Sequence, residues 1–160
     1  MRIPIQGLME KYRNSLYVAA FNICKNTADA EDVVQDTFLQ YHISNQQYDN
    51  EQHIRAWLLR VAINRAKNVN HSFWRRNRQS LENYMETAEF ETTDLAEVFR
   101  AVMDLPDKYR IVIHLFYYED YSVNEIAELM NLSVSNVKVR LSRGRKLLRE
   151  TLKEGWDDDE

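Results

Sequence analysis

Glycine, proline and cysteine are all scarce in this chain of 160 residues. Three glycines and two prolines are present, whereas an average protein of this length would have about 12% of its residues in these two types. A β-sandwich, a collagen-like chain or a Pro/Gly-rich disordered chain needs many more turn formers and is excluded. Because 44% of the residues are hydrophobic, a core can form, and the sequence predicts an all-α fold.

The low cysteine count and the lack of long apolar runs limit where the chain can work. Cys24 is the single cysteine, so an intrachain disulfide and a secreted disulfide scaffold are excluded. No run of 18 apolar residues occurs, and the N-terminal residues show no signal peptide. We therefore expect no membrane insertion and a cytoplasmic location.

Sequence patterns for catalysis and metal binding are also missing. With only three glycines, at positions 7, 144 and 155, the chain has neither a phosphate-binding glycine loop nor a GxSxG elbow. HExxH is absent, and the histidines are too widely spaced to bind one metal ion from a single helix: His42, His53, His71 and His114. The sequence predicts no catalytic residues, no metal, no cofactor and no enzymatic activity.

Charge is strongly segregated along the chain, although the net charge is only −4. Residues 49–80 carry a net charge of +5 and residues 137–153 carry +6, whereas residues 81–107 carry −7 and residues 154–160 carry −5. The average therefore conceals two basic blocks separated by an acidic stretch, which fit either a nucleic-acid-binding surface or ordinary solvated helix faces.

Apolar residues follow helical spacing almost throughout. Thr27 and Asp29 are candidate N-caps of a second helix, and a third helix is predicted to run from Ile54 towards Arg76. The pattern indicates two small helical domains, with the following organisation: a first domain over 1–77, an acidic linker over 78–94, a second domain over 95–153 and an acidic tail over 154–160.

A helix-turn-helix is predicted in the second domain. Ser122 and Glu125 have the spacing of a capping box, Asn131 supplies a turn beside the buried Leu132, and Ser133 caps the next helix. On that helix one narrow side is apolar and is formed by Val137, Leu141, Gly144 and Leu148. The opposite side is rich in Lys and Arg. Such a helix fits the major groove of DNA. A purely structural helical hairpin is the alternative.

Basic and polar residues also recur along the predicted third helix. Arg60, Asn64, Lys67 and His71 follow one another at spacings of 4, 3 and 4, and Trp74 lies close to them. Basic residues interleaved with an amide and an aromatic ring are typical of single-stranded nucleic-acid binding. Trp57, in contrast, is expected in the core.

Two blocks of sequence resemble the sigma-70 family of bacterial RNA polymerase sigma factors. The segments DAEDVVQDTFLQ (29–40) and HIRAWLLRVAINRAKN (53–68) are similar to the promoter-melting domain of that family. The segment LPDKYRIVIHLFYYEDYSVNEIAELMNLSVSNVKVRLSRGRKLL (105–148) is similar to the domain that binds the minus-35 element. The short two-domain layout resembles the extracytoplasmic-function (ECF) group.

The resemblance implies three functional surfaces. Contact with the β′ clamp helices of the polymerase is expected from Asp32, Gln35, Asp36, Leu39 and Gln40. The helix that captures a flipped minus-10 base matches residues 54–76, which gives the candidates Arg60, Asn64, Lys67, Asn68, His71 and Trp74. The minus-35 element is expected to contact Ser135, Lys138, Val139, Ser142, Arg143 and Lys146.

The same resemblance implies the partners. These are the RNA polymerase core, through its β′ clamp helices and β subunit, promoter DNA, and an anti-sigma factor. Family members thread their linker towards the RNA exit path, so the acidic linker is expected in a basic channel.

A stand-alone helix-turn-helix regulator is the alternative function, and a pure protein-interaction module is a weaker one. A regulator needs a dimer surface or an effector pocket, and the basic residues of the third helix have no place in one. Binding to core polymerase discriminates between the two functions.

Overall fold

The structure, a computed structural model, describes residues 1–69 and 93–156. Within these two ranges the chain forms seven helices and no strand, so the predicted all-α class is confirmed. The chain divides into two compact units at the bond between Glu82 and Asn83.

The first unit is a bundle of three helices, each packed against the other two. The helices are α1 (Ile5–Cys24), α2 (Thr27–Ile43) and α3 (Glu51–Lys67). Leu16 of α1, Phe38 of α2 and Leu58 of α3 are buried between them. Burial of one such side chain contributes about 1.5–3 kcal/mol, so the apolar sides of the helices account for the bundle.

Asn26 forms the N-cap of α2. Its extended backbone, with φ −142° and ψ 127°, lets the side-chain oxygen accept a hydrogen bond from the backbone N–H of Asp29 at 2.9 Å. The prediction that Thr27 or Asp29 forms the N-cap is wrong, because both residues lie inside the first turn of the helix. There the carboxylate of Asp29 interacts favourably with the helix dipole.

Helix α3 ends earlier than the sequence predicts. The backbone N–H groups of Asn68 and Val69 donate to the carbonyl oxygens of Arg65 and Ala66 at 3.1 and 3.3 Å. Bonds spanning three residues tighten the last turn and close the helix. The prediction of one continuous helix towards Arg76 is therefore wrong, and residues 70–92 lie outside the described part of the chain.

The second unit contains α4 (Thr93–Met103), α5 (Asp107–Tyr117), α6 (Val123–Met130) and α7 (Val134–Trp156). Helix α7 packs against the other three, and Val137 and Leu141 lie buried at these contacts. Helix α4 begins two residues inside the predicted linker, and α7 extends three residues beyond residue 153. The proposed limits of the domains otherwise stay a prediction.

Arg110 is a charged residue in the core of the second unit, with 1% of its surface exposed. Its guanidinium donates to the carbonyl oxygens of Leu105 and Met103, at 2.8 and 3.3 Å, and to the Asp107 carboxylate at 2.6 Å. Burial lowers the pKa of Arg110, and the nearby carboxylate of Asp107 opposes this shift. Arg110 thus binds the chain between α4 and α5 to the start of α5.

None of the helices in the described ranges is both long enough and apolar enough to cross a membrane.

Candidate nucleic-acid and polymerase interfaces

The helix-turn-helix is fixed by hydrogen bonds at both of its helix starts. Ser122 and Glu125 form the predicted capping box, in which the Ser122 hydroxyl accepts from the Glu125 N–H at 3.1 Å and the Glu125 carboxylate accepts from the Ser122 N–H at 2.9 Å. Asn131 adopts the left-handed conformation at the turn, with φ 55° and ψ 49°. The hydroxyl of Ser133 then accepts from the Asn136 N–H at 3.0 Å. These predictions are confirmed, although Leu132 is only half-buried.

The exposed side of α7 brings together all six residues predicted to contact the minus-35 element. Each is exposed to solvent: Ser135, Lys138, Val139, Ser142, Arg143 and Lys146. The opposite side is packed, since Val137 and Leu141 are at most 1% exposed. We name the six exposed residues the α7 face. Five of its six residues are polar or basic and the sixth, Val139, is small, so this face suits entry into a DNA groove.

Gly144, on the apolar side of α7, allows α5 to lie close to this helix. A Cβ atom at this position would lie 3.0 Å from Cγ1 of Ile113 and 3.4 Å from Cβ of Tyr109. A larger residue at this position would require the Ile113 side chain to shift, so the glycine favours the close packing of α5 on α7.

Arg145 does not share the exposed side of α7, where the helical wheel places it. Its guanidinium carbon lies 5.7 Å from the ring centroid of Phe116 and 5.9 Å from that of Tyr117. Aromatic rings of α5 attract the cation at these distances, and the side chain becomes half-buried.

Tyr109 and Lys108 adjoin the α7 face, although no sequence pattern indicated either residue. Burial raises the pKa of Tyr109, but hydrogen bonding to Arg143 and the charge of Lys108 outweigh it, so the pKa lies below its ordinary value. These residues are 34 and 35 positions from Arg143, and only the packing of α5 on α7 brings them together. No local sequence pattern could have shown the contact.

The exposed side of α2 carries the residues predicted to bind polymerase. Asp32, Gln35, Asp36 and Leu39 are exposed, and Gln40 is half-buried. Ile43, one turn after Leu39, was missed; the two side chains are 61% and 54% exposed. Their spacing of four residues could have indicated it. We name these six residues the α2 face, an apolar patch with an acidic rim, as is common at protein contacts.

The C-terminal half of α3 and its C-cap residue, Asn68, present four of the six residues predicted to contact the minus-10 element. Arg60, Asn64, Lys67 and Asn68 are exposed, whereas His71 and Trp74 lie outside the described residues. Trp57 is half-buried and packs edge-on against the rings of Tyr41 and Tyr48, with centroid distances of 6.2 and 5.9 Å.

The α2 face and the end of α3 meet at an ion pair. The Arg65 guanidinium lies 3.6 Å from the Asp36 carboxylate. Beside it is a cavity of about 210 Å³, lined by Asp29, Asp32, Val33, Asp36, Arg65, Asn68 and Val69. Asn68, the residue that follows α3, therefore lines this cavity together with the aspartates of α2. In the described ranges no group of side chains could hold a metal ion.

Comparison with known proteins identifies the family. Residues 8–80 match Sigma-70 region 2, and residues 95–148 match Sigma-70, region 4. The RNA polymerase sigma factor SigV of Bacillus subtilis (strain 168) is 31% identical over 147 residues, which are 86% of this chain and 84% of SigV. The chain belongs to the sigma-70 family. This sigma factor also resembles the ECF RNA polymerase sigma factor SigW of the same organism, with 26% identity over 92% of this chain and 88% of SigW.

Solved structures agree with this assignment. CnrH in complex with the cytosolic domain of CnrY matches with a TM-score of 0.68 and 28% identity, covering 94% of this chain and 88% of CnrH. The sigma factor RpoE of Bartonella quintana, solved with the anti-sigma factor NepR, matches in fold with a TM-score of 0.68 and 21% identity over 92% of this chain and 96% of RpoE.

The resemblance to the ECF group is thereby confirmed, and the function follows from it. This chain is a transcription initiation factor that directs RNA polymerase to promoters, and it is not an enzyme. A stand-alone helix-turn-helix regulator is ruled out as the alternative, because the region 2 match over residues 8–80 has no role in such a protein.

Proposed function

We propose that each of the three surfaces described above binds a different partner or promoter element of this sigma factor. The α2 face binds core polymerase, the C-terminal half of α3 contacts the minus-10 element, and the α7 face reads the minus-35 element. The observation that carries the proposal is that the predicted residues in the described ranges, Gln40 apart, are solvent-exposed on these helices.

The polymerase contact follows from the chemistry of the α2 face. Leu39 and Ile43 supply apolar area, which favours association when it is removed from water. Asp32 and Asp36 surround it with negative charge, which suits a partner surface that is basic. We assign this face to the β′ clamp helices, and contacts of the second unit to the β subunit.

The minus-10 contact rests on the polar side of α3. Lys67 and Arg60 neutralise phosphates, and the amides of Asn64 and Asn68 can bond to the edges of an extruded base. Extrusion costs a few kcal/mol of stacking and pairing, so a base outside the duplex needs such hydrogen bonds. His71 and Trp74 stay predicted members of this site.

The minus-35 contact rests on the α7 face. Val139 and Ser142 are small, so contacts to a thymine methyl group or through water fit them better than bidentate recognition of guanine. Lys138 and Lys146 supply positive charge along the same side of the helix.

The partners also indicate where the protein acts. Because core polymerase is present in the cytoplasm, we infer a cytoplasmic location for this sigma factor. The relatives solved in complexes support an anti-sigma factor as a further partner that covers the polymerase-binding surface. The acidic linker over residues 78–94 is proposed to enter a basic channel of the polymerase.

Run-off transcription with core polymerase and a library of promoters tests the proposal. Leu39→Asp should abolish binding to core, and Lys138→Gln with Lys146→Gln should reduce promoter binding while core binding is retained. His42→Gln and Glu150→Gln are matched exposed controls on α2 and α7 that should have little effect. Wild-type transcription by the Leu39→Asp variant would refute the assignment of the α2 face.

A further inference from the structure

Helix α2 lies between two clefts, and the α2 face forms the ridge that separates them. The first cleft, which we name the α1 cleft, is a cavity of about 290 Å³ between α1 and α2. Its lining includes side chains of both helices: Met9, Arg13, Glu31, Val34 and Phe38. The second, which we name the α3 cleft, is the cavity of about 210 Å³ beside the ion pair of Asp36 and Arg65.

Leu39 lies on the crest of this ridge and lines neither of the two clefts. At 3.6 residues per turn, Phe38 lies about 100° to one side of Leu39 and Asp36 about 60° to the other side. Gln35 of the α2 face lines the α1 cleft, and Asp32 and Asp36 line the α3 cleft. Both clefts are therefore continuous with the α2 face.

The α1 cleft has an apolar floor and charged edges. Val34 and Phe38 form the floor and are each 4% exposed, whereas Met9 at the edge is 40% exposed. Arg13 and Glu31 are exposed and have no ion-pair partner among the described side chains. This cleft fits an apolar side chain of a partner, which gains by leaving water, with polar or charged neighbours for the two edges.

The α3 cleft has an excess of negative charge. Three carboxylates line it, those of Asp29, Asp32 and Asp36, against the single guanidinium of Arg65. Asp32 is exposed and has no ion-pair partner among the side chains in the described ranges. A partner that enters this cleft is therefore expected to carry a basic side chain.

The spacing of the clefts indicates what kind of partner fits both. A helix with its side chains is about 10–12 Å across, so clefts on the two sides of α2 are about that far apart. Two helices packed together have axes about 8–10 Å apart, which is nearly the same spacing. A single partner helix would fill one cleft and leave the other open.

We propose that the partner of the α2 face is a pair of packed helices that straddles α2, with one helix in each cleft and Leu39 at the seam between them. This inference rests on the proposed polymerase contact and deepens it, since both β′ clamp helices are then engaged. It adds Met9 and Arg13 of α1, and Asn68 after α3, to the walls of the interface.

Photocrosslinking in holoenzyme, assembled from the full chain and core polymerase without DNA, tests this arrangement. The photoreactive residue p-benzoylphenylalanine replaces Met9 in the α1 cleft, Asn68 in the α3 cleft or Leu39 on the crest. Mass spectrometry should find Met9 and Asn68 joined to different clamp helices, and Leu39 joined to either one. Lys11, which is exposed and paired with Glu51 away from both clefts, is the control and should give no crosslink.

Failure of this inference differs from failure of the proposed function. Crosslinks from Met9 and Asn68 to the same helix, or none from one of them while Leu39 reacts, would overturn the straddling arrangement and leave the α2 face as a polymerase site. If no position reacts with polymerase, Leu39 included, the function proposed for the α2 face is wrong and the inference is wrong with it.

The affinity for core polymerase, measured against salt, is a second readout. Met9→Asp places a carboxylate over the apolar floor and should weaken binding about tenfold or more, as for a central interface residue, whereas Met9→Leu should bind as the wild type does. Asp32→Asn should reduce the salt dependence of binding, because it removes a charge from the α3 cleft. Melting curves equal to that of the wild type show that the fold is retained. Unchanged binding by a folded Met9→Asp variant would show that no helix enters the α1 cleft.

Discussion

A buried guanidinium joins α4 to α5, and its loss should destabilise the second unit. In an Arg110→Gln variant, the carbonyl oxygens of Met103 and Leu105 lose charged donors at 3.3 and 2.8 Å. Buried acceptors left without donors, with a cavity beside them, cost about 2–4 kcal/mol. Native-state hydrogen exchange should show this loss at amides of α4 and α5, with Lys146→Gln as exposed control. Unchanged exchange would contradict the structural role of Arg110.

Cys24 should be chemically inert in the folded protein. Its side chain is fully buried, and burial, with the charge of Asp29 as a smaller cause, raises the pKa of the thiol to about 12. Because only the thiolate reacts, iodoacetamide at pH 8 should label the protein in urea but not in buffer.

The same shift makes a prediction about alkaline stability. A thiol whose folded pKa is raised gives stability that is complete below its unfolded pKa of about 8.5 and is lost as pH rises towards the folded value. The unfolding midpoint of the wild type should therefore fall more between pH 8 and 11 than that of Cys24→Ala. Equal falls would show that Cys24 does not contribute.

At the scale of single residues, the exposure of the α7 face could be predicted from the sequence, but the partners of its neighbours could not. The helical period places Lys138 and Ser142 opposite Val137 correctly, because these positions depend only on the geometry of one helix. Arg110, Arg145 and Tyr109 depend on which helix packs where. Any local sequence pattern predicts that an arginine is exposed. The burial of Arg110 is explained only by the carbonyl oxygens around it, and that of Arg145 only by the neighbouring aromatic rings.

At the scale of helices, the ion pair between Asp36 and Arg65 connects the α2 face to α3. If Asp36 binds a basic group of polymerase, Arg65 competes for the same carboxylate at 3.6 Å. Arg65→Gln should then increase the affinity for core polymerase, by at most about fivefold, because exposed ion pairs are worth about 0–1 kcal/mol. Fluorescence anisotropy of the labelled chain against core polymerase measures the change.

The matched control for this prediction is Arg55→Gln, a half-buried arginine elsewhere on α3. It should leave the affinity for core unchanged, and the gain of Arg65→Gln should disappear in an Asp36→Asn background. An equal gain from both arginine variants would indicate a general charge effect and contradict the competition.

Helix starts and ends show what local chemistry can predict. The capping box of α6 was predictable because both of its bonds join residues three apart. The end of α3 at Lys67 could not be predicted, because the residues that follow have helical spacing and include no glycine or proline. Asn26 was also missed as a cap, because two other good capping residues, Thr27 and Asp29, follow it within three residues.

For the whole molecule, the segregation of charge carries the functional information that the average conceals. A net charge of −4 would disfavour DNA, yet α3 and α7 each present a basic side to solvent. The resemblance of two sequence blocks predicted the family, and the comparisons confirm it. The contacts within each unit, such as that of Arg145 with the rings of Phe116 and Tyr117, required coordinates because they join distant parts of the chain.

The acidic C-terminal residues should slow association with DNA through their charge alone. Replacing Asp157, Asp158, Asp159 and Glu160 by the corresponding amides changes the net charge from −4 to 0. Since like charges reduce encounter rates at long range, we expect the amide variant of the free chain to bind duplex DNA about two- to tenfold faster at low salt.

Salt separates this field effect from a specific contact. The Debye length falls from about 30 Å at 0.01 M to about 3 Å at 1 M, so the two association rates should converge as salt is added in a stopped-flow experiment. A variant with the four residues in another order keeps the charge and should behave as the wild type. If the amide variant keeps its advantage at high salt, the tail acts through a short-range contact, and the charge explanation is wrong.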